Sequence, residues 1–147
     1  MTITLNPDLA APLAPVLALI IWSLLIWILL FARRIPAMQR AGINPEQEKN
    51  PAAYDALLPE RAQAAAHNYN HLMEQPTLFY ALMFYLALTG EAAGGQGEWV
   101  SILGWGYVLF RVLHSFVQVS VGPVMWRFAL FVLGSLCLFG LAGLAVF

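Results

Sequence analysis

"NYNHLMEQPTLFYALMFYLAL" occupies residues 68–88. Two asparagines, a histidine and a glutamate open it, and apolar sequence follows with no loop between. A helix through both halves carries Glu74 to the edge of a lipid-soluble segment. An ionisable side chain at that depth needs a partner or a wet cavity. The partner of Glu74 therefore sets how the rest of the chain is arranged around it.

Composition points to lipid as the solvent. The chain has 147 residues, 61% of them hydrophobic and 10% charged, against about 25% charged in soluble domains. The length suits one domain over residues 1–147. A formal net charge of −1 leaves no basic footprint for nucleic acid. The single cysteine, Cys137, lies in an apolar run. It excludes an intrachain disulfide and reads as a small buried hydrophobe.

A hydrocarbon core about 30 Å thick takes about 20 apolar residues as helix. Four stretches qualify: residues 15–32, 72–89 with a cytoplasmic extension from about 61, 99–119, and 124–146. The fold class is thus an all-α integral membrane bundle of four transmembrane helices. No positive charge precedes the first stretch and no small-residue cleavage site follows it, so it reads as an uncleaved span rather than a signal peptide. "SVGP" (residues 120–123) makes a tight turn, with Pro123 in the first turn of the last helix, where its missing N–H costs little.

Arg33, Arg34, Arg40, Lys49 and Arg61 all belong to the first connection or its edges, and the second connection has no Lys or Arg. Positive charge marks the cytoplasmic side, so both termini fall on the other side. Pro36, Pro45, Pro51 and Pro59 predict irregular chain from Arg33 to about Glu60, with one helical turn near "AAYDALL". The glycine-rich "GEAAGGQGE" reads as a loop without chemistry.

Polar residues inside the spans fall in register. His67, His71 and Glu74 share a helical face, with Asn70 beside them. Tyr107, Arg111, His114 and Gln118 follow at spacings of four, three and four. At about 1.5 Å per residue, Glu74, Arg111 and His114 lie roughly 18–23 Å from the outer ends of their helices, and His71, Gln118 and Arg127 about 27–30 Å. Glu74 with Arg111 is the natural ion pair, either a structural clamp or one wall of a site. Arg127 alone could snorkel to the interface. A metal on His67, His71 and Glu74 fits the spacing but lacks a compact metal motif. A proton pathway fails because the polar stripe stops short of the outer half of every span. Together these residues describe a cytoplasm-facing pocket for a small anionic or zwitterionic ligand.

"AAAHNYNHLMEQPTLFYAL" followed by "YVLFRVLHSFVQ", with "AGINPEQE" before them, resembles the membrane-associated proteins in eicosanoid and glutathione metabolism (the MAPEG family), in their prokaryotic type. The resemblance implies a homotrimer of four-span chains in a bacterial inner membrane. Glutathione would bind as substrate or cofactor, beside a lipophilic small-molecule substrate drawn from the bilayer. It implies a transferase or peroxidase acting on lipophilic electrophiles or lipid hydroperoxides; the alternative is a non-catalytic member that binds a lipid or a partner. Carried over by position, Arg127 activates the thiol. Glu74, Arg111 and His114 match the family motifs, and Arg34, or Arg33, matches a basic residue at the end of span one. His71, Asn70 and Gln118 complete the glutathione contacts. Arg111, held by Glu74, would bind a carboxylate of the tripeptide. Three positions depart from the pattern: His71 replaces an asparagine, His67 an arginine, and Gln118 a tyrosine. Gly104 and Gly106 with Gly134, Ser135, Gly140, Ala142 and Gly143 permit close helix approach; the number three comes from the resemblance alone.

Overall fold

A computed structural model describes residues 7–44, 55–90 and 95–146. Five helices account for most of them: α1 (Pro7–Arg40), α2 (Glu60–Met73), α3 (Gln75–Thr89), α4 (Gly97–Val119) and α5 (Val124–Val146). No strand occurs among the described residues. Three helices, α1, α4 and α5, are long and apolar enough to cross a membrane. The expected second span is instead divided at Glu74 into helices of 14 and 15 residues.

The physical cause of the division is Pro76. It lacks the N–H that would bond the carbonyl four residues back, and its ring crowds that carbonyl. Glu74 takes φ −89° and ψ −99°, outside the helical region. Pro76 then sits within the first turn of α3, where no intrahelical donor is required. The Thr77 hydroxyl and backbone N–H both donate to the Glu74 carbonyl, at 2.6 and 3.1 Å. These bonds restart the helix.

The first helix departs from expectation in the other direction. It begins before residue 15 and continues past Arg33 to Arg40, through Pro12, Pro15 and Pro36. At 34 residues it is roughly 51 Å long, well beyond the hydrocarbon core. Tertiary contact holds the extension despite Pro36: Ala37 packs with Leu58 and Ala62 in a small apolar cluster that Met38 and Ile43 cover. The irregular segment starts only after Arg40. Its predicted helical turn is described only from Asp55, whose carbonyl accepts from Leu58 N–H at 3.1 Å. Residues 45–54 lie outside the described residues, as do 91–94 of the glycine-rich loop.

The α4 helix is central and packs against α1, α2 and α5, while α3 reaches α1 and α5. Its buried face carries Val100, Tyr107 and Val108 into a core with Leu19, Leu72, Phe79, Met83, Leu86 and Leu141. Phe79 stacks on Tyr107 with ring centroids 4.4 Å apart. The α4 and α5 helices approach closely because small residues face each other. A Cβ on Gly106 would meet Cys137 Sγ at 3.2 Å, and one on Gly140 would meet Leu103 Cδ1 at 3.0 Å. Those glycines are thus used within the chain. The rest of α5 is exposed or half-buried, with Gly134 and Leu141 as its buried residues.

The turn between α4 and α5 closes the polar end. Gly122 N–H donates to the Val117 carbonyl at 2.8 Å, and Val121 N–H to the Gln118 carbonyl at 3.0 Å. This pattern ends helices with a left-handed residue. Here that residue is Val121, at φ 59°, a position that normally favours glycine. Glycine stands one place later, where a Cβ would come within 2.8 Å of Val117 Cγ1.

Candidate functional site

The stripe on α4 faces inward as its spacing requires: Tyr107, Arg111, His114 and Gln118 are all buried. Helix α2 brings His67, Asn68 and His71 alongside, and the first turn of α5 brings Arg127. Two adjoining cavities result. The outer one, of about 480 Å³, is lined by Glu60, Gln63, His67, Gln118, Gly122 and Arg127 among others. The inner one, of about 280 Å³, is lined by His71, His114, Gln118, Arg127, Phe128 and Phe131. Gln118 and Arg127 belong to both. The Nε of Arg127 is shut off from solvent and has no protein acceptor. His114 and His71 stand edge to face, with centroids 6.0 Å apart.

The expected Glu74–Arg111 ion pair does not form. The Glu74 side chain is 65% exposed, and its Oε2 lies 3.2 Å from His71 Nδ1. The helix break turns Glu74 outward and hands the inward position to Gln75. Arg111, 2% exposed, donates from Nη2 to Gln75 Oε1 and from Nε to the Tyr107 hydroxyl at 3.1 Å. Its guanidinium carbon lies 5.3 Å from the Tyr107 ring centroid and 5.0 Å from that of Phe131. The ring faces supply some of the negative potential a carboxylate would have given. Arg111 lines neither polar cavity. It stands behind Phe131, which walls the inner one.

Other sequence candidates divide. Asn70 is exposed, whereas Asn68 is fully buried and donates from Nδ2 to Gln118 Oε1 at 2.9 Å. Burial against α4 selects between the two asparagines, and packing of α2 on α4 was not readable from spacing within α2. Arg34 pairs with Asp55 at 2.7 Å, and Asp55 also approaches His67 at 3.8 Å. Arg33 donates from Nη1 to the Val119 carbonyl at 2.7 Å and to the Arg61 carbonyl at 3.3 Å. Both arginines thus fasten the helix ends on the polar side of the bundle, and neither lines the two cavities.

One residue of this network, Gln75, was absent from the sequence reading, and Ser135 entered it only as a small residue. Gln75 accepts from Arg111, and Tyr107 OH donates to the same oxygen at 3.4 Å. Ser135 on α5 accepts from Gln75 Nε2 at 2.9 Å. The available signal was a glutamine seven residues after Asn68, two turns along one face. The same Gln75 ends a third, apolar groove of about 610 Å³ between α3 and α5, lined by Leu78, Ala81, Leu82, Tyr85, Leu138, Phe139 and Ala142. Its volume falls within the roughly 300–1,000 Å³ of small-molecule sites. The arrangement thus sets a polar chamber bordered by Arg127 near a greasy groove, with Gln75 and Arg111 between them.

Comparison with known proteins gives one match. The family model described as the MAPEG family covers residues 12–147. No curated protein and no solved structure matches the chain.

Proposed function

The chain belongs to the MAPEG family, and from that premise we propose a membrane-embedded, glutathione-dependent transferase or peroxidase acting on lipophilic electrophiles or lipid hydroperoxides. The observation that carries the reading is Arg127, whose side chain borders both polar cavities. A thiol becomes a strong nucleophile only as thiolate, and its free value is about 8.5. A fixed cation beside the sulfur favours the ionised form. Arginine suits the task because it stays charged at any working pH. His71, His114 and Gln118 offer the remaining contacts for the peptide, with the Arg111 charge behind Phe131. Arg34, committed to Asp55, and Asn70, turned outward, recede from the list of contacts. Glu74 acts on the site through His71.

Basic residues gather at this end of the bundle, which supports a cytoplasmic chamber and termini on the opposite side. Glutathione would come from the water phase through the outer cavity. The lipophilic partner would come from the bilayer along the α3–α5 groove. In conjugation the thiolate sulfur forms a bond to the electrophilic carbon, and the leaving group departs with its electron pair. With a hydroperoxide the sulfur takes the distal oxygen, the O–O bond breaks, and the alkoxide takes up a proton. A second glutathione then reduces the sulfenic acid to disulfide and water. The reading includes a homotrimer, which the family resemblance supports.

One observation favours the non-catalytic alternative. Gln118 stands where many members carry a tyrosine, and its carbonyl is committed to Asn68. Titration calorimetry of glutathione into protein in lipid nanodiscs separates the readings. Binding that is lost in Arg127→Ala supports the enzyme; no heat at millimolar glutathione removes it. Lipid binding unchanged in Arg127→Ala, with no thiol chemistry, would establish the alternative.

A further inference from the structure

His71 stands between a carboxylate and the chamber. Its Nδ1 lies 3.2 Å from Glu74 Oε2. An ionised carboxylate only accepts hydrogen bonds, so in the neutral ring Nδ1 carries the hydrogen and Nε2 keeps its lone pair. His71 also lines the inner cavity, whereas Glu74 does not. A pair this exposed, at spacing three on one helix, does little for stability. Its effect falls on the ring's tautomer and on the charge the ring can bear. From α4, His114 faces His71 with ring centroids 6.0 Å apart. From α5, Arg127 borders the same cavity, and Arg111 stands behind Phe131. His67, one turn earlier on α2, lines the outer cavity. No residue lining the inner cavity is acidic, so its two histidines are the groups there that can take up a proton. His114 is 7% exposed and forms no ion pair with a carboxylate among the described residues, whereas His71 forms one.

We propose that His71, held in one tautomer by Glu74, is the base that removes the thiol proton of glutathione and later returns it to the departing group. The inference rests on the glutathione reading above. Arg127 favours the thiolate, but a guanidinium that never deprotonates cannot accept the proton the thiol sheds. A sulfur beside Arg127 in the inner cavity shares a space of about 280 Å³ with His71. The S–H bond breaks, its electron pair stays on sulfur, and the proton goes to His71 Nε2. The imidazolium is then paired with the Glu74 carboxylate. In conjugation the sulfur bonds to the electrophilic carbon, and the imidazolium proton follows the leaving group's electron pair. With a hydroperoxide the sulfur takes the distal oxygen with its hydrogen, the O–O bond breaks, and the imidazolium protonates the alkoxide. Either way His71 returns to its neutral tautomer. Glu74 is a positioning residue, since it touches the ring and not the substrate.

Proton counting tests this. Glutathione is titrated calorimetrically into the nanodisc-embedded protein in buffers of different ionisation enthalpy, and thiolate is read by its ultraviolet absorbance. The pH is about 7.5, between the ordinary values of imidazole, about 6.5, and of a free thiol, about 8.5. In the unmodified chain, thiolate is expected to form with little proton release, because the proton stays on His71. In His71→Gln, thiolate held by Arg127 should form with release of about one proton, or fail to form although glutathione binds. Glu74→Gln should raise the release above the unmodified level while thermal unfolding barely moves, a separation that a purely structural contact would not give. Thiolate formed with release of about one proton in the unmodified chain overturns the inference and leaves the enzyme reading intact. Proton retention in His71→Gln with thiolate present also overturns it and transfers the role to His114. An unchanged count in Glu74→Gln overturns the part given to Glu74. If His71→Gln does not fold, the counts for the unmodified chain and Glu74→Gln decide. Glutathione that binds only as thiol overturns the inference as well; no binding at any concentration removes both it and the enzyme reading.

Discussion

Replacing Arg111 with methionine is expected to cost the fold less stability than replacing Gln75 with leucine. Arg111 is a cation 2% exposed in the bundle interior. Among the described residues no carboxylate pairs with it; Gln75 and Tyr107 accept its hydrogen bonds. Removing its side chain forfeits two charge-assisted bonds, each about 1.5–3 kcal/mol. It also removes a charge whose presence at bilayer depth costs at least about 2.5–3.5 kcal/mol. The partners are not stranded, because Tyr107 OH already donates to Gln75 Oε1 at 3.4 Å. The net change is then a loss of about 1.5 kcal/mol at mid-range and at most about 3.5 kcal/mol. Gln75→Leu is different in kind. It keeps the buried charge and takes away its principal acceptor, at a cost of about 3–5 kcal/mol. At about 2–4 °C per kcal/mol for a chain of this size, the Tm falls by roughly 6–20 °C. The assay is thermal unfolding of the three variants Arg111→Met, Gln75→Leu and the double substitution in one lipid. The double variant should recover most of the Gln75→Leu loss. If it is as unstable as Gln75→Leu alone, Arg111 is not the group that suffers, and the account of a cation held by a neutral amide is wrong.

Three smaller expectations accompany it. Val121→Gly should raise stability by about 1–2 kcal/mol, because a left-handed residue with a Cβ carries a cost of that order; Gly122→Ala should lower it, since its Cβ would strike Val117. A rise in neither Tm nor resistance to denaturant for Val121→Gly would show that the turn is not strained. Arg33→Ala removes a donor from the last carbonyl of α4 and should raise amide exchange at residues 117–120 while leaving exchange in α3 unchanged. Glu74→Gln alters only an exposed contact with His71, so unfolding should shift by less than about 1 kcal/mol; a loss of several would restore Glu74 as the counter-ion of Arg111.

Legibility in the sequence followed the reach of helical periodicity. Residues 107, 111, 114 and 118 all keep to the buried face because nothing interrupts α4 between them. The contact of His71 with Glu74, at spacing three, was readable for the same reason. Beyond Glu74 the reckoning failed by a single position. Pro76 interrupts the helix there, but the direction in which the chain restarts depends on packing against α4 and α5. That direction decided that Gln75, not Glu74, meets Arg111. Asn68 and Asn70 differ in role because only contact with Gln118 distinguishes the faces of α2. The continuation of α1 past Arg33 shows the opposite error, since Pro36 suggested interruption where apolar contact with Leu58 and Ala62 kept the helix whole.

The interruption at Glu74 also bears on how such a chain can diverge. In a continuous helix, one inserted residue swings everything beyond it by about 100°, and a change among His67, Asn68 and His71 would be felt at Phe79, Met83 and Leu86, which are fully buried. A slip joint at Glu74 isolates the two segments. The half that carries His67, Asn68 and His71 can be rewritten, lengthened or shortened by a residue while the apolar half keeps its register, so one scaffold can vary its polar end without being refolded each time.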